Sequence, residues 1–216
     1  MRKPKNITTG EIYHIYNRGV DKRDIFLDFL DIQRFSDALI VFNNIEPVES
    51  LNKQIRLNGF AIKNPLVSFL AYSLQPNHFH FLIQQEVDGG ISEFMKRLQG
   101  GYTLYLNNKN ERSGALFEAT YKSKHVNTNE YLLYVSGYIN LNDDQENNRG
   151  LTPINYKYYS SWSQYVDYKY QGRSICTKHS LILQQFETKD EYKKYAYQVL
   201  EEVKNNKKRY RLLGKN

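Results

Sequence analysis

The stretch "LAYSLQPNHFHFLIQQ", Leu70 to Gln85, decides the fold. It reads as two strands, about 66–75 and 78–85, joined at Pro76-Asn77, a pair suited to a tight turn. Strand side chains alternate between faces, so His78 and His80 leave one face together while Phe79, Phe81 and Ile83 leave the other. The apolar face is made for burial. A strand that only had to pack would not set two titratable rings side by side on its second face, so the histidines are the first candidates for chemistry.

Outward from that hairpin, "EIYHIYNRG" (11–19) alternates Ile12, His14 and Tyr16 against Tyr13 and Ile15, a strand ended by Gly19. His14 alternates with core positions and reads as structural. A helix is expected near 31–44, with Phe35, Ala38, Leu39 and Phe42 at helical spacing. The polar segment through "NKQIRLNGFAIKNP" reads as a connection. A second helix is expected at about 90–107 on Ile91, Phe94, Leu98, Tyr102 and Tyr105, although Gly100 and Gly101 each cost it about 1 kcal/mol. A short strand at about 121–126 then leads into a helix to about 142, with Asn127 and Glu130 as a capping box. This order contains the split β-α-β-β-α-β pattern. The expected class is α+β: a ferredoxin-like antiparallel sheet with helices on one face.

Residues 151–216 read as an appendage to a 1–150 domain. "SSWSQY" suits a short helix, and "TKDEYKKYAYQVLEEVKNN" a longer one, with a Thr188/Glu191 capping box and a stripe of Tyr192, Tyr195, Ala196, Val199 and Val203. Charge divides at the same place. Residues 1–150 hold 17 Lys+Arg and 17 Asp+Glu, whereas 151–216 hold 13 and 6, so the net +7 sits in the last third. Such asymmetry points to a polyanion as partner. "KNNKKRYRLLGKN" interleaves an aromatic among cations, as phosphate and base contacts require; a solubilising tail is the plainer alternative. A single cysteine, Cys176, excludes an intramolecular disulfide and a Cys-based zinc site. The absence of an apolar stretch behind the basic N-terminal residues, or of membrane-spanning length anywhere, leads to the expectation of a cytoplasmic protein.

On the helix 128–142, Tyr131, Tyr134 and Tyr138 share a face, and Asn142 lies four residues beyond Tyr138. Taken alone, such a stripe is core and rim, and a lone His-x-His on a strand is a chance or structural pair. Five blocks together say more. "YHIYNRGVDKRDIF", "AYSLQPNHFHFLI", "GALFEATYKSKHV", "EYLLYVSGYINLN" and "YSSWSQY", in that order over roughly 11–166, resemble the REP-associated tyrosine transposases, a branch of the single-tyrosine HUH transposases of insertion-sequence type.

The resemblance implies an HUH nuclease fold with a basic helical C-terminal extension, cleaving and rejoining single-stranded DNA beside an imperfect hairpin. It implies Tyr138 as a nucleophile that forms a 5′-phosphotyrosine link and releases a 3′-hydroxyl. It implies His78, His80 and Asn142 as ligands of Mg²⁺ or Mn²⁺, a neutral set that leaves the ion its full charge for phosphate. Imidazoles suit Mn²⁺ better than Mg²⁺. Candidate DNA contacts are Asn17 and Arg18 at the end of the first strand; Tyr121, Lys122 and Lys124; and Lys207, Lys208, Arg209 and Arg211 in the tail. Members of this branch are taken as monomers, and the long extension favours a nucleoid-associated monomer over a dimer. Where the family commonly reads Asn-Pro-Val-Arg-Ala-Gly, this chain has "NDDQENNRG", with Asp143, Asp144 and Glu146 beside the proposed ligand. Two alternatives stay open: a catalytically silent hairpin-binding protein, and a metal-independent RNA-processing ribonuclease on a ferredoxin-like fold.

Overall fold

Four strands form one antiparallel sheet: β1 (Ile12–Arg18), β2 (Val67–Gln75), β3 (His78–Gln85) and β4 (Lys122–Val126), in the spatial order β2-β3-β1-β4. The structure, a computed structural model, describes residues 7–60, 63–141 and 159–212, with Asn58 and 207–212 as backbone only. Helices α1 (Phe29–Val41) and α2 (Leu51–Asn58) connect β1 to β2, and α3 (Gly90–Lys109) connects β3 to β4. This is the expected ferredoxin-like α+β arrangement. After β4 come α4 (Asn129–Leu141) and, in the extension, α5 (Trp162–Val166), α6 (Ser180–Leu183) and α7 (Lys189–Leu212).

The helices of the split unit pack on one face, as the pattern predicts. Tyr13, Ile15, Phe79, Phe81 and Ile83 meet Phe35 and Leu39 of α1 and Phe94, Leu98 and Tyr102 of α3. The second face is also covered: Leu70, Ala71 and Leu82 pack with Leu132, Val135 and Ile139 of α4 and with Tyr165, Ile182, Tyr192 and Ala196 of the extension. A bulge in β2 makes this possible. The register against β3 shifts between Phe69 and Ala71, so Leu70 and Ala71 both serve the second core before Tyr72 and Leu74 return to the first.

Local chemistry accounts for the helix bounds. Asp28 caps α1 by accepting from the backbone N–H of Asp31. The segment read as a plain connection holds α2, whose start Ser50 caps by accepting from Lys53 N–H; eight residues are too few for periodicity to reveal. The cap of α4 is Thr128, one residue later than expected, its Oγ1 accepting from Tyr131 N–H at 3.2 Å. Thr188 does cap α7, accepting from Glu191 N–H at 3.2 Å, while Glu191 itself reaches back to Glu187 N–H at 2.8 Å. Gly101 survives inside α3 because a Cβ there would lie 2.9 Å from Cε2 of Phe42 on the neighbouring connection.

The extension joins the sheet directly. Ser160 bridges to Ser73 on the outer edge of β2, Ser161 N–H donates to Tyr72 C=O at 2.9 Å, and Lys178 N–H donates to Phe69 C=O at 3.0 Å. An edge that would otherwise be open to pairing is thereby closed. Lys178 Nζ adds an ion pair to Glu86 at 2.6 Å. Between α4 and α7, Gly137 permits close approach: a Cβ there would stand 3.3 Å from Ala196 Cα. Asn140 Nδ2 donates to Tyr192 Oη at 2.7 Å, and Asn140 Oδ1 accepts from Ser161 Oγ. Among the described residues no helix is long and apolar enough to cross a membrane.

Candidate active site

Register fixes what surrounds the histidines. On β3, His78 lies opposite Arg18 of β1 and Gln75 of β2, and His80 lies opposite Tyr16 and Ser73. Directly opposed residues share a face, so the second face carries His14, Tyr16, Arg18, Ser73, Gln75, His78 and His80. Across β1 the same face continues onto β4, where Lys122 lies opposite Tyr16 and Lys124 opposite His14.

Above them sits α4. The ring of Tyr138 stands edge-on to His80 with centroids 5.6 Å apart, and 6.4 Å from that of His14. His78 and His80 are 5.1 Å apart, centroid to centroid, and Tyr16 stacks on His80 at 5.6 Å. The candidate nucleophile and the candidate metal-binding pair are therefore brought together.

Each histidine of the pair has its Nδ1 engaged. His78 Nδ1 is 2.6 Å from Asn77 Oδ1, and Asn77 Nδ2 donates to Lys22 C=O at 3.1 Å, which fixes the amide so that its oxygen accepts from His78. His80 Nδ1 is 2.8 Å from Nε2 of His14. Burial, with the charges of His14, His78 and Arg18, holds His80 well below the usual imidazole range. Burial and the charge of Lys124 pull His14 down to about 4. Both rings are neutral at pH 7, and a neutral imidazole with Nδ1 bonded presents Nε2 to a metal. The donor chemistry thus fits a divalent cation. Ser73, across from His80, adds a buried hydroxyl without a hydrogen-bond partner among the described residues. No group of three or more His, Cys, Asp or Glu fit to hold a metal occurs among those residues, and Asn142, with Asp143, Asp144 and Glu146, lies outside them.

Two candidate DNA contacts lie away from the histidines. Asn17 points into the first core, 3 % exposed. Its Nδ2 donates to Gln99 Oε1 at 2.8 Å and Ala119 C=O at 2.7 Å, and its Oδ1 accepts from Arg18 N–H at 2.9 Å. It ties β1 to α3, and its amide is spent inside the fold. Tyr121 packs against that same core and pairs with Ser92 of α3 at 3.0 Å, away from the histidines. Lys122 and Lys124, both exposed, do lie at the site. The rings that accompany them are Tyr16, with Lys122 Nζ 5.9 Å from its centroid, and Tyr131, with Lys124 Nζ at 4.3 Å. The side chains of Lys207, Lys208, Arg209 and Arg211 lie outside the description, on a backbone that continues α7.

His14, Asn77 and Tyr16 were not among the expected site residues. His14 and Tyr16 occupy alternate positions of one strand and so share its face, but that this face is the one bearing His80 depends on a β1–β3 register not legible in sequence.

Comparisons with known proteins bear on the family and the fold. The family model described as "Transposase IS200 like" matches residues 55–142, a span that takes in His78, His80 and Tyr138. Over that span the chain is similar to the IS200-like transposases. A solved structure, "Structure of the REP associates tyrosine transposase bound to a REP hairpin", superposes with a TM-score of 0.52 at 13 % identity, covering 77 % of this chain and 85 % of that one. At that identity the likeness is one of fold, and it extends beyond residues 55–142 into the flanking segments. No curated protein matches the chain. The family resemblance carried by the five sequence blocks is borne out by the family model and the fold together.

Proposed function

We propose that the protein is a metal-dependent, single-strand DNA transposase-type nuclease that cuts and rejoins beside a hairpin. The observation that carries this reading is the edge-on approach of Tyr138 to His80, 5.6 Å between centroids, with His80 Nδ1 held by His14. Tyr138 Oη attacks the scissile phosphorus, and the bond to the 3′-oxygen breaks. The phenolic proton leaves to solvent and the departing 3′-oxygen takes one up. The protein keeps a 5′-phosphotyrosine whose bond energy is available for rejoining. A free phenol with a pKa near 10 is a poor nucleophile at neutral pH. A bound Mg²⁺ or Mn²⁺ would polarise the phosphate and stabilise the charge that develops on it. His78 and His80 would hold that cation through Nε2, with Asn142 as third ligand. Asn77 and His14 orient the two rings, and Arg18, Lys122 and Lys124 draw the backbone to this face.

The partner would be single-stranded DNA with an imperfect hairpin; the solved structure of similar fold is bound to a REP hairpin. The basic end of α7 would grip the hairpin or its flank. Because α4 is pinned to its own extension through Gly137 and Asn140, Tyr138 acts on the histidines of its own chain, which favours a monomer. A cytoplasmic, nucleoid-associated location follows from such a substrate.

The test is an SDS-resistant adduct. Wild-type protein and Tyr138→Phe are incubated with labelled hairpin DNA in Mn²⁺ or Mg²⁺, with and without EDTA. A labelled band that needs both Tyr138 and metal is expected. Tight hairpin binding without any band would refute the nuclease and leave the silent binder. A product formed in EDTA that requires a 2′-hydroxyl would leave the ribonuclease.

A further inference from the structure

Beside the histidines the fold leaves an open cleft of about 490 Å³ between β1, β4, α4 and α7. His80 and Tyr138 lie on its inner wall, and Tyr16, Tyr131, Tyr134 and Lys124 supply much of the rest. The fourth wall is Val203 and Asn206 of α7, so the extension completes it. From Tyr131 to Tyr138 the helix advances about 10 Å, so the rings form a row leading away from the candidate reaction centre. Among the described lining residues Lys124 is the one cation and there is no carboxylate; burial, and then the charge of Glu202 on α7, push the Tyr134 hydroxyl above the usual phenol range.

We propose that this cleft holds one unpaired nucleotide adjacent to the scissile phosphate: its base against the Tyr131 and Tyr134 rings, its phosphate on Lys124, and its base edge within reach of the Asn206 amide. This rests on the nuclease reading above and adds a subsite to it. The ligand class follows from the walls. Tyrosine rings lining a cleft next to a single exposed ammonium suit an aromatic group joined to an anion, and a base offers its π-face whatever its sequence. A volume of 490 Å³ belongs to the range that encloses one small-molecule-sized unit, too little for a base pair with two backbones. The nucleotide must therefore be unpaired. Asn206 is the group able to distinguish bases, since an amide both donates and accepts.

The experiment uses the full chain carrying Tyr138→Phe, so that binding is read without cleavage. Oligonucleotides made of the hairpin plus its unpaired flank carry 2-aminopurine at one position at a time. Fluorescence quenching confined to one flank position is expected. Tyr134→Leu should weaken binding about 5- to 150-fold, the range for loss of one base stack, and Tyr134→Phe should restore it. An abasic residue at the quenched position should abolish the difference between the chain that keeps Tyr134 and the Tyr134→Leu variant. Uniform quenching along the flank would overturn the subsite. So would a Tyr134→Leu defect that persists on the abasic strand, because that defect would be structural. The adduct assay with Tyr138 intact separates the two readings. An adduct without localised quenching overturns the subsite alone, whereas localised quenching without any adduct overturns the nuclease alone.

Discussion

Replacing His14 by Leu isolates its role from that of any group that would touch metal or DNA. In the folded protein His80 Nδ1 meets His14 Nε2 at 2.8 Å, in a place where both rings are buried. For His80 to offer Nε2 to a cation, its proton must sit on Nδ1 and His14 must accept it. A leucine of similar bulk fills the space and cannot accept. The N–H is then buried without a partner, at a cost of about 1–3 kcal/mol. The ring has two ways out: it can move the proton to Nε2, which blocks the coordinating atom, or it can rotate. Either predicts a loss of Mn²⁺ affinity of about 10- to 100-fold, the range seen when a residue orienting a metal-binding histidine is removed. Titration of free Mn²⁺ by its paramagnetic resonance signal measures this without catalysis. Nitrogen-15 spectra of the imidazoles should show His80 protonated on Nδ1 in wild type and shifted towards Nε2 in the His14→Leu variant. His14→Gln, whose amide oxygen can accept, should recover most of the affinity. If His14→Leu binds Mn²⁺ as tightly as wild type with an unchanged His80 signal, the orienting role is refuted. If wild type itself does not bind Mn²⁺, the metal reading fails first.

Asn17→Ala should lower stability by about 1–3 kcal/mol, because Gln99 and Ala119 lose a buried donor. Hairpin affinity measured well below the melting temperature should stay as in wild type; a selective affinity loss would restore Asn17 as a DNA contact. Gly137→Ala forces a methyl to within 3.3 Å of Ala196 Cα and should cost about 1–3 kcal/mol by overpacking, lowering the melting temperature by about 2–10 °C; an unchanged value would mean that α7 is not closely seated on α4. Glu86 is raised by burial, but its hydrogen bonds to Lys178 and Ser68 bring it below the usual carboxylate range. Its contribution is therefore present above the unfolded-state value, near 4.5, and lost as pH falls below it. Glu86→Gln should flatten the acid limb of the stability curve and speed proteolysis of the extension at neutral pH, and an acid limb identical to wild type would exclude this ion pair as a clamp.

The hairpin of β2 and β3 was legible because its signal is local: a turn pair flanked by alternating apolar residues. The same alternation placed both histidines on one face, and helical spacing gave Tyr138 its position on α4. What escaped depends on contacts between distant segments. Asn17 and His14 are three residues apart on one strand, and their parity separates them correctly onto opposite faces. Only the pairing with β3 shows that the face with His14 is the one bearing His78 and His80. Helix α2 was too short to be periodic. The bulge at Leu70 breaks strand parity, so no alternation rule could assign Leu70 and Ala71 to the second core. Tyr121 precedes β4 and packs towards the first core, so a Tyr/Lys cluster contiguous in sequence is divided in space.

Asn140 lies two residues from Tyr138 and is bonded at once to Tyr192 of α7 and to Ser161, whose own backbone is fastened to β2. The seat of the tyrosine helix is thus built from residues that lie well beyond it in the chain. Cutting the chain after α4 would not release a self-sufficient domain. It would remove the wall on which α4 is seated, so substitutions far along the tail can tilt α4 and shift Tyr138 relative to His80.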